Sequence, residues 1–310
     1  MSSKQLISLV VPAYNEAECI DSSIDRIHQV MKTNHESFEL VIVDDGSNDA
    51  TWSKIVRASA TYPTVKGLRL SRNFGKESAI CAGLEQTSGD AVILLDADMQ
   101  HPPELIPDMI QRWRKGDVDV VEGVKSDRGR ENLFSRLLAQ VFYWLMGSLS
   151  GLDFAGASDY KLLDRKVVEA WKSMDERNLF FRAMSAWVGF NRVQIEFEVA
   201  TREAGTSKWT QWSLVGLAFK AIAAFSTVPL RIVTVSGVLF FLFAIIMAAN
   251  TLYQYWHGEA VTGFSTVILL LLITSSLIML ALGIIGEYIA RIYEEVKGRP
   301  RYIIAEHTGR

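Results

Sequence analysis

From Ile232 to Gly258, and again from Ala260 to Gly286, the chain contains no Asp, Glu, Lys or Arg. Each run is longer than the roughly 20 apolar residues that cross about 30 Å of hydrocarbon. A core helix of a water-soluble protein seldom stays uncharged for so long, because part of its circumference meets water. The two runs are therefore read as membrane-spanning helices joined by a short connection. Lys208, Lys220 and Arg231 precede the first run. Arg291, Lys297, Arg299 and Arg301 follow the second, whereas the connection YQYWHGEAVTGF has neither Lys nor Arg. By the positive-inside rule both ends of the chain face the cytoplasm and the connection lies outside. Tyr253, Tyr255 and Trp256 fall where an interfacial aromatic belt would sit.

The hairpin divides the 310 residues into a cytoplasmic domain (1–208), a juxtamembrane helix (209–228), two membrane helices (229–290) and a cytoplasmic tail (291–310). The segments 132–149 and 209–228 are apolar with scattered polar residues, a pattern suited to lying in the headgroup plane. Arg128, Arg130 and Arg136 flank the first of these, and Arg202 and Lys208 precede the second, as an anionic lipid surface would favour. A net charge of −3 gives no electrostatic ground for a nucleic-acid partner, and none is expected. The two cysteines, Cys19 and Cys81, have neither C-x-x-C spacing nor companion histidines, so a reduced compartment without disulfides is expected.

Within 1–208, short β-branched runs at 6–11, 39–43, 67–70, 91–95 and 118–121 read as strands. Helical stretches near 16–33, 50–60, 76–87 and 103–115 separate them. This alternation predicts an α/β, doubly wound, Rossmann-like and mostly parallel sheet. Such sheets bind ligands at the carboxyl ends of their strands. Four polar motifs sit there: VVPAYNE, VDDGSND, LSRNFGKESA and LDADMQHPPE.

The last carries Asp96 and Asp98, two hard carboxylates at a strand end, suited to Mg²⁺ or Mn²⁺ and to the phosphate oxygens such an ion would share. Asp44 and Asp45 put like charges at the second strand end, a costly pairing unless donors or a cation meet them. Gly46 and Ser47 allow a close backbone approach. Asp49 or Thr51 suits a helix cap, and Arg72 and Lys76 are cations able to face a diphosphate.

Taken in this order, the four motifs resemble glycosyltransferase family 2, the inverting GT-A group. The resemblance continues through GASDYKLLDRKVV, the RxxGxSK pattern of Arg202, Gly205, Ser207 and Lys208, the two spans and the tail GEYIARIYEEVKGRPRYII. It covers essentially the whole chain. It points to the bacterial polyprenyl-phosphate (bactoprenol) glucosyltransferases and, more distantly, to the dolichol-phosphate mannose synthases.

The resemblance implies a GT-A domain with a nucleotide site at Pro12, Tyr14, Glu16, Asp44, Asp45 and Lys76. It implies a divalent metal (Mg²⁺ or Mn²⁺) at Asp96 and Asp98 with Gln100 as helper, and catalytic roles for Asp96, Asp98 and Asp159. Arg202, Ser207 and Lys208 would meet the acceptor phosphate. Lys161 stands where the family pattern has arginine, a point charge in place of a bidentate fork.

The implied reaction is inverting transfer of a hexose, glucose from UDP-glucose, to undecaprenyl phosphate at a bacterial inner membrane. Because a phosphate monoester is already anionic at neutral pH, Asp159 is expected to orient groups, not to abstract a proton. A homo-oligomer is expected from the small two-span anchor. One alternative is a processive polysaccharide synthase, but Gln111-Arg112-Trp113 has the wrong spacing for its Q-x-x-R-W motif and there are only two spans. The other is a non-catalytic scaffold or lipid-binding protein, which would have no need of acidic motifs at every strand end.

Overall fold

The computed structural model describes residues 5–125, 158–174, 181, 187–197, 228–257 and 263–308. These divide into two units: residues up to 197 together with 299–308, and the helical residues 228–257 with 263–298.

The first unit is a sheet covered on both faces. Its elements run β1 (Leu6–Ala13), α1 (Ile20–Thr33), β2 (Ser37–Asp44), α2 (Thr51–Thr61), β3 (Val65–Leu70), α3 (Lys76–Glu85) and β4 (Ala91–Leu94). After a 3₁₀ turn come α4 (Ile106–Arg114), β5 (Val120–Lys125), β6 (Lys161–Asp164), α5 (Arg165–Lys172), β7 (Arg192–Phe197) and, far along the chain, β8 (Ile304–His307).

Side chains alternate across the strands as a period of two requires. Ile7, Leu9, Val11, Leu40 and Ile42 join one core cluster with Ile24, Ile27 and Met31 of α1, Ile55 of α2 and Met109, Ile110 and Trp113 of α4. Val10, Val41, Val43, Val92 and Leu94 join the other, with Ile80 and Leu84 of α3 and Val167, Val168 and Trp171 of α5. The apolar stripe Ile20, Ile24, Ile27, Met31 makes α1 amphipathic and fixes which of its faces turns inward. α3 is buried along Ala79–Leu84 because it crosses the sheet where Gly83 meets Val10; a Cβ there would lie 2.3 Å from Val10 Cγ1.

Strand order is β7-β5-β6-β4-β1-β2-β3-β8. The central pairs β4–β1, β1–β2 and β2–β3 are parallel. β6 lies antiparallel between β4 and β5, and β8 is antiparallel to β3. From β1 the chain winds outward through β2 and β3, then returns to place β4 on the other side of β1. That reversal opens a crevice at the carboxyl ends of β1 and β4. The strands expected at 6–11, 39–43, 67–70, 91–95 and 118–121 are present with shifted ends; β6, β7 and β8 are additional.

The second unit is an antiparallel helix pair, α6 (Val228–Trp256) and α7 (Phe264–Val296). Leu230–Gln254 and Leu270–Val296 span 25 and 27 residues with mean hydropathy 2.6 and 2.1, and neither is buried within the protein. Neither helix packs as a core helix within its own unit. At 1.5 Å per residue each reaches roughly 38–40 Å, enough for the hydrocarbon layer. The expected interfacial segment at 132–149, residues 209–227 of the one expected at 209–228, and Arg128, Arg130, Arg136, Arg202, Ser207 and Lys208 lie outside the described residues, while Val228 opens α6.

Candidate active site

The crevice at the β1/β4 switch is a cavity of about 290 Å³ whose walls include Pro12, Tyr14, Glu16, Asp45, Lys76 and both Asp96 and Asp98. Three of the four sequence motifs therefore converge with the fourth on one space, as parallel strands with ends in register demand.

The motif after β2 splits its two carboxylates by function. Asp44, the last residue of the strand, is fully buried and does not line this cavity. It accepts a hydrogen bond from Ser47 N–H at 3.1 Å and faces Arg69 Nε at 3.4 Å. Burial pushes its pKa up, against the pull of those partners. Asp45 turns the other way and accepts from the backbone N–H groups of Phe74 (2.7 Å) and Gly75 (2.9 Å), binding the motif after β3 to the motif after β2. Burial raises its pKa as well.

Gly46 (φ 68°) makes this possible: a Cβ there would lie 2.4 Å from the carbonyl carbon of Arg72. The close approach is thus to the chain's own backbone. Asp49 accepts from Thr51 N–H at 3.0 Å just ahead of α2, but the N-cap is Ala50, which makes no side-chain cap, so neither Asp49 nor Thr51 takes the capping place expected of them. Asp49 also accepts from Ala17 N–H at 3.1 Å, while Thr51 Oγ1 accepts from Glu16 N–H at 2.9 Å, so the start of α2 holds the loop after β1. The Cys19 thiol donates to Glu16 Oε2 at 2.9 Å; burial, with help from Glu16, pushes it up to about 12, so it stays protonated. Arg72 folds over the Phe74 ring at 4.1 Å.

Lys76, the first residue of α3, bridges two carboxylates: Nζ lies 2.6 Å from Asp96 Oδ1 and 2.9 Å from Asp159 Oδ2. Burial opposes its charge, but Asp96 and Asp159 outweigh that and hold its pKa above the ordinary lysine value. Asp159 precedes β6, whose antiparallel pairing with β4 brings it beside Asp96. Lys161 is fully buried, 2.9 Å from Glu122 on β5, and burial draws its pKa down against that attraction. Its ion pair ties β6 to β5.

The turn carrying Asp96 and Asp98 is held from behind by His101, which sequence reasoning missed. His101 is 6% exposed. Its Nδ1 accepts from Asp96 N–H at 3.1 Å, which places the ring proton on Nε2. The ring stacks on Tyr160 at 4.9 Å, and Tyr160 OH donates to Pro102 O at 2.8 Å. Burial keeps His101 neutral by lowering its pKa. Met99 takes a left-handed conformation (φ 60°), unusual for a long side chain and tolerated where surroundings over-determine it. Gln100 N–H donates to Asp98 Oδ1 at 3.1 Å; Gln100 itself does not line the cavity.

Among the described residues, no three Asp, Glu, His or Cys side chains converge to hold a metal unaided. Asp96 and Asp98 nonetheless put hard oxygen donors on the cavity wall. Two carboxylates, completed by substrate oxygens, are what Mg²⁺ ordinarily uses. The residues fit a divalent ion of that kind. The Gln111-Arg112-Trp113 run lies away from the crevice, on α4: Arg112 pairs with Asp117, and Trp113 is buried with Nε1 donating to Asp164 at 2.8 Å.

Comparison with known proteins gives the family of the chain. The chain is 40% identical over 309 residues to the SfII prophage-derived bactoprenol glucosyl transferase of Shigella flexneri, covering 98% of this chain and 99% of that one. It is 39% identical to the prophage bactoprenol glucosyl transferase homolog of Escherichia coli K12, covering 96% and 98%. A crystal structure of glucosyl-3-phosphoglycerate synthase from Mycobacterium tuberculosis, in complex with Mn²⁺, UDP-glucose and phosphoglyceric acid, shares the fold. Its TM-score is 0.50 at 21% identity, over 71% of this chain and 78% of that one. Residues 8–167 match glycosyl transferase family 2 and residues 228–292 match the GtrB C-terminal hairpin, so the chain belongs to glycosyl transferase family 2 and joins its catalytic domain to a GtrB-type hairpin.

Proposed function

We propose that the chain transfers glucose, with inversion, from UDP-glucose to polyprenyl (undecaprenyl) phosphate at the cytoplasmic face of a bacterial inner membrane. The observation that carries this is the meeting of Lys76, Asp96, Asp98 and Asp159 at the β1/β4 switch of a family 2 chain. The names of relatives that match nearly its whole length support the acceptor and the sugar.

In this reading an acceptor phosphate oxygen bonds to C1 of the sugar as the bond from C1 to the diphosphate oxygen breaks. The electron pair leaves with UDP. The acceptor monoester has a second pKa of about 6, so no proton need be removed at neutral pH. Lys76 supplies a fixed positive charge beside the leaving diphosphate, and Asp96 and Asp159 hold it there. Pro12, Tyr14, Glu16 and Asp45 line the donor side. Asp44 acts from behind, through Ser47. Mg²⁺ or Mn²⁺ held by Asp96 and Asp98, with Gln100 fixing the Asp98 carboxylate, would neutralise charge on the departing diphosphate. Arg202, Ser207 and Lys208 are assigned to the acceptor phosphate.

The two helices span the membrane with both chain ends cytoplasmic, on the strength of the Lys and Arg distribution, and the protein self-associates through them. The test is transfer by purified protein in lipid, with undecaprenyl phosphate, Mg²⁺ or Mn²⁺ and a panel of radiolabelled nucleotide sugars. An organic-extractable product from UDP-glucose is expected. Product from a different donor would correct the sugar, and none from any donor would overturn the reading.

A further inference from the structure

One polar residue interrupts the inward face of α1. The buried positions of that helix are Ile20, Ser23, Ile24, Ile27 and Met31, and Ser23 is only 1% exposed. Burying a hydroxyl is costly unless a hydrogen-bond partner meets it. The partner of Ser23 is Ala97, the residue between Asp96 and Asp98: Ser23 Oγ donates to Ala97 O at 2.6 Å. Cys19 O lies 3.0 Å from the same hydroxyl, but it already accepts from Ser23 N–H at 3.0 Å and from Ser22 Oγ at 2.8 Å. Both lone pairs of that carbonyl are engaged, which leaves the single hydroxyl proton of Ser23 to Ala97.

The turn after β4 needs such a tie. Met99 holds φ 60°, a conformation that persists only where the surroundings over-determine it. His101 Nδ1 fixes the N–H of Asp96, and Ser23 fixes the carbonyl of the peptide group that leads into Asp98. The backbone that carries the two carboxylates is therefore gripped at both ends, once from the turn itself and once from α1. The first turn of α1 also holds a further wall residue, because the Cys19 thiol donates to Glu16 Oε2 at 2.9 Å.

We propose that Ser23 is a positioning residue for the divalent ion, its hydroxyl setting Asp98 relative to Asp96 so that both carboxylates meet one cation. This rests on reading Asp96 and Asp98 as the metal ligands. Ser23 does not line the cavity and acts through the peptide group between Ala97 and Asp98. Groups that orient metal ligands from behind govern metal affinity by about 10–100-fold.

The experiment compares wild type with Ser23→Ala, as full chains in lipid nanodiscs. Alanine removes the donor, is the better helix former and fits the space of serine, so the fold is kept, and thermal scans check it. Mn²⁺ affinity is measured from the EPR signal of the free ion with UDP saturating, and UDP affinity is measured separately in EDTA. Ser23→Ala is expected to weaken Mn²⁺ binding about tenfold. The Mn²⁺ concentration giving half-maximal transfer should rise by a similar factor, while UDP affinity in EDTA stays at the wild-type value. A general loosening of α1 would instead weaken metal-free UDP binding as well, through Glu16. That result, or Mn²⁺ affinity equal to wild type, would overturn the inference and leave the proposed reaction standing. A wild-type protein that binds no Mn²⁺ would overturn the metal reading together with it.

Discussion

Nζ of Lys76 lies 2.9 Å from Oδ2 of Asp159, joining the first turn of α3 to the residue that leads into β6. The contact makes Asp159 a partner of a cation and argues against its acting as a base. Lys76→Met is expected to lower kcat roughly 10²-fold, the scale for losing one preorganised electrostatic contact, with Lys76→Arg recovering part of it. The pKa of Lys76 is held above 10.5, so its charge persists through neutral pH and is lost only in strong alkali. The pH–rate profile between about pH 7 and 9 should therefore have the same shape in wild type and Asp159→Asn. A rate that rises with pH in the first, as a base loses its proton, and not in the second would make Asp159 the general base.

Asp98 sits at the cavity wall with one carboxylate oxygen fixed by Gln100 N–H. Asp98→Ala should reduce transfer by roughly 10²-fold or more, the scale for losing one preorganised electrostatic contact, while the protein stays folded and membrane-bound. Chelation should abolish wild-type turnover and added Mn²⁺ or Mg²⁺ restore it. Wild-type rates in excess chelator would remove the metal from Asp96 and Asp98.

His101 supports Asp96 through a single acceptor atom, Nδ1. His101→Phe keeps the stacking on Tyr160 but deletes that acceptor, leaving a backbone N–H unpaired at a cost of about 1–3 kcal/mol. A fall in kcat of about tenfold is expected, with donor KM less affected, since each 1.4 kcal/mol is a factor of ten. His101→Asn carries an oxygen near the Nδ1 position and should restore much of the rate. Equal loss in both variants would mean that the ring's bulk matters and the hydrogen bond does not.

Much of the site was legible because each motif directly follows a buried apolar run, and parallel strands bring their carboxyl ends together. What could not be read was how neighbouring residues divide. Asp44 and Asp45 look like one paired anionic feature. Consecutive residues at a strand end point to opposite sides, so one faces Arg69 and the other the backbone of Phe74 and Gly75. The close approach allowed by Gly46 looked like room for a ligand, yet the backbone of Arg72 and Asn73 takes it.

The antiparallel strands were hidden for a different reason. KLLD and IAEH are four residues each, too short to carry a period. Both are stabilised by distant pairing: Ile304 with Leu70, and Lys161 with Leu94. Local propensity says little about a strand whose partner lies far away in sequence. The membrane helices were the opposite case, because length and lack of charge alone identify them.

Glu39, at the start of β2 and far from the crevice, fixes the amino-terminal edge of the sheet. It accepts from Lys66 Nζ at 2.6 Å, from Ser8 Oγ at 2.5 Å, and from Ser88 N–H at 2.6 Å. Burial works against its charge, but these donors prevail and bring its pKa from 4.5 down to about 2. A carboxylate whose folded pKa is depressed adds stability that is fully present above the unfolded pKa and is lost as pH falls through the folded one. A shift of that size, discounted for the half-exposed Lys66, corresponds to roughly 2–3 kcal/mol. Glu39→Gln should therefore lower the apparent Tm by roughly 5–10 °C at neutral pH. The gap between wild type and variant should stay constant down to about pH 5, narrow below it, and close near pH 2. Thermal scans of both proteins across that range check the sign. A gap that widened as pH fell would show that the ionised carboxylate at this edge destabilises the fold.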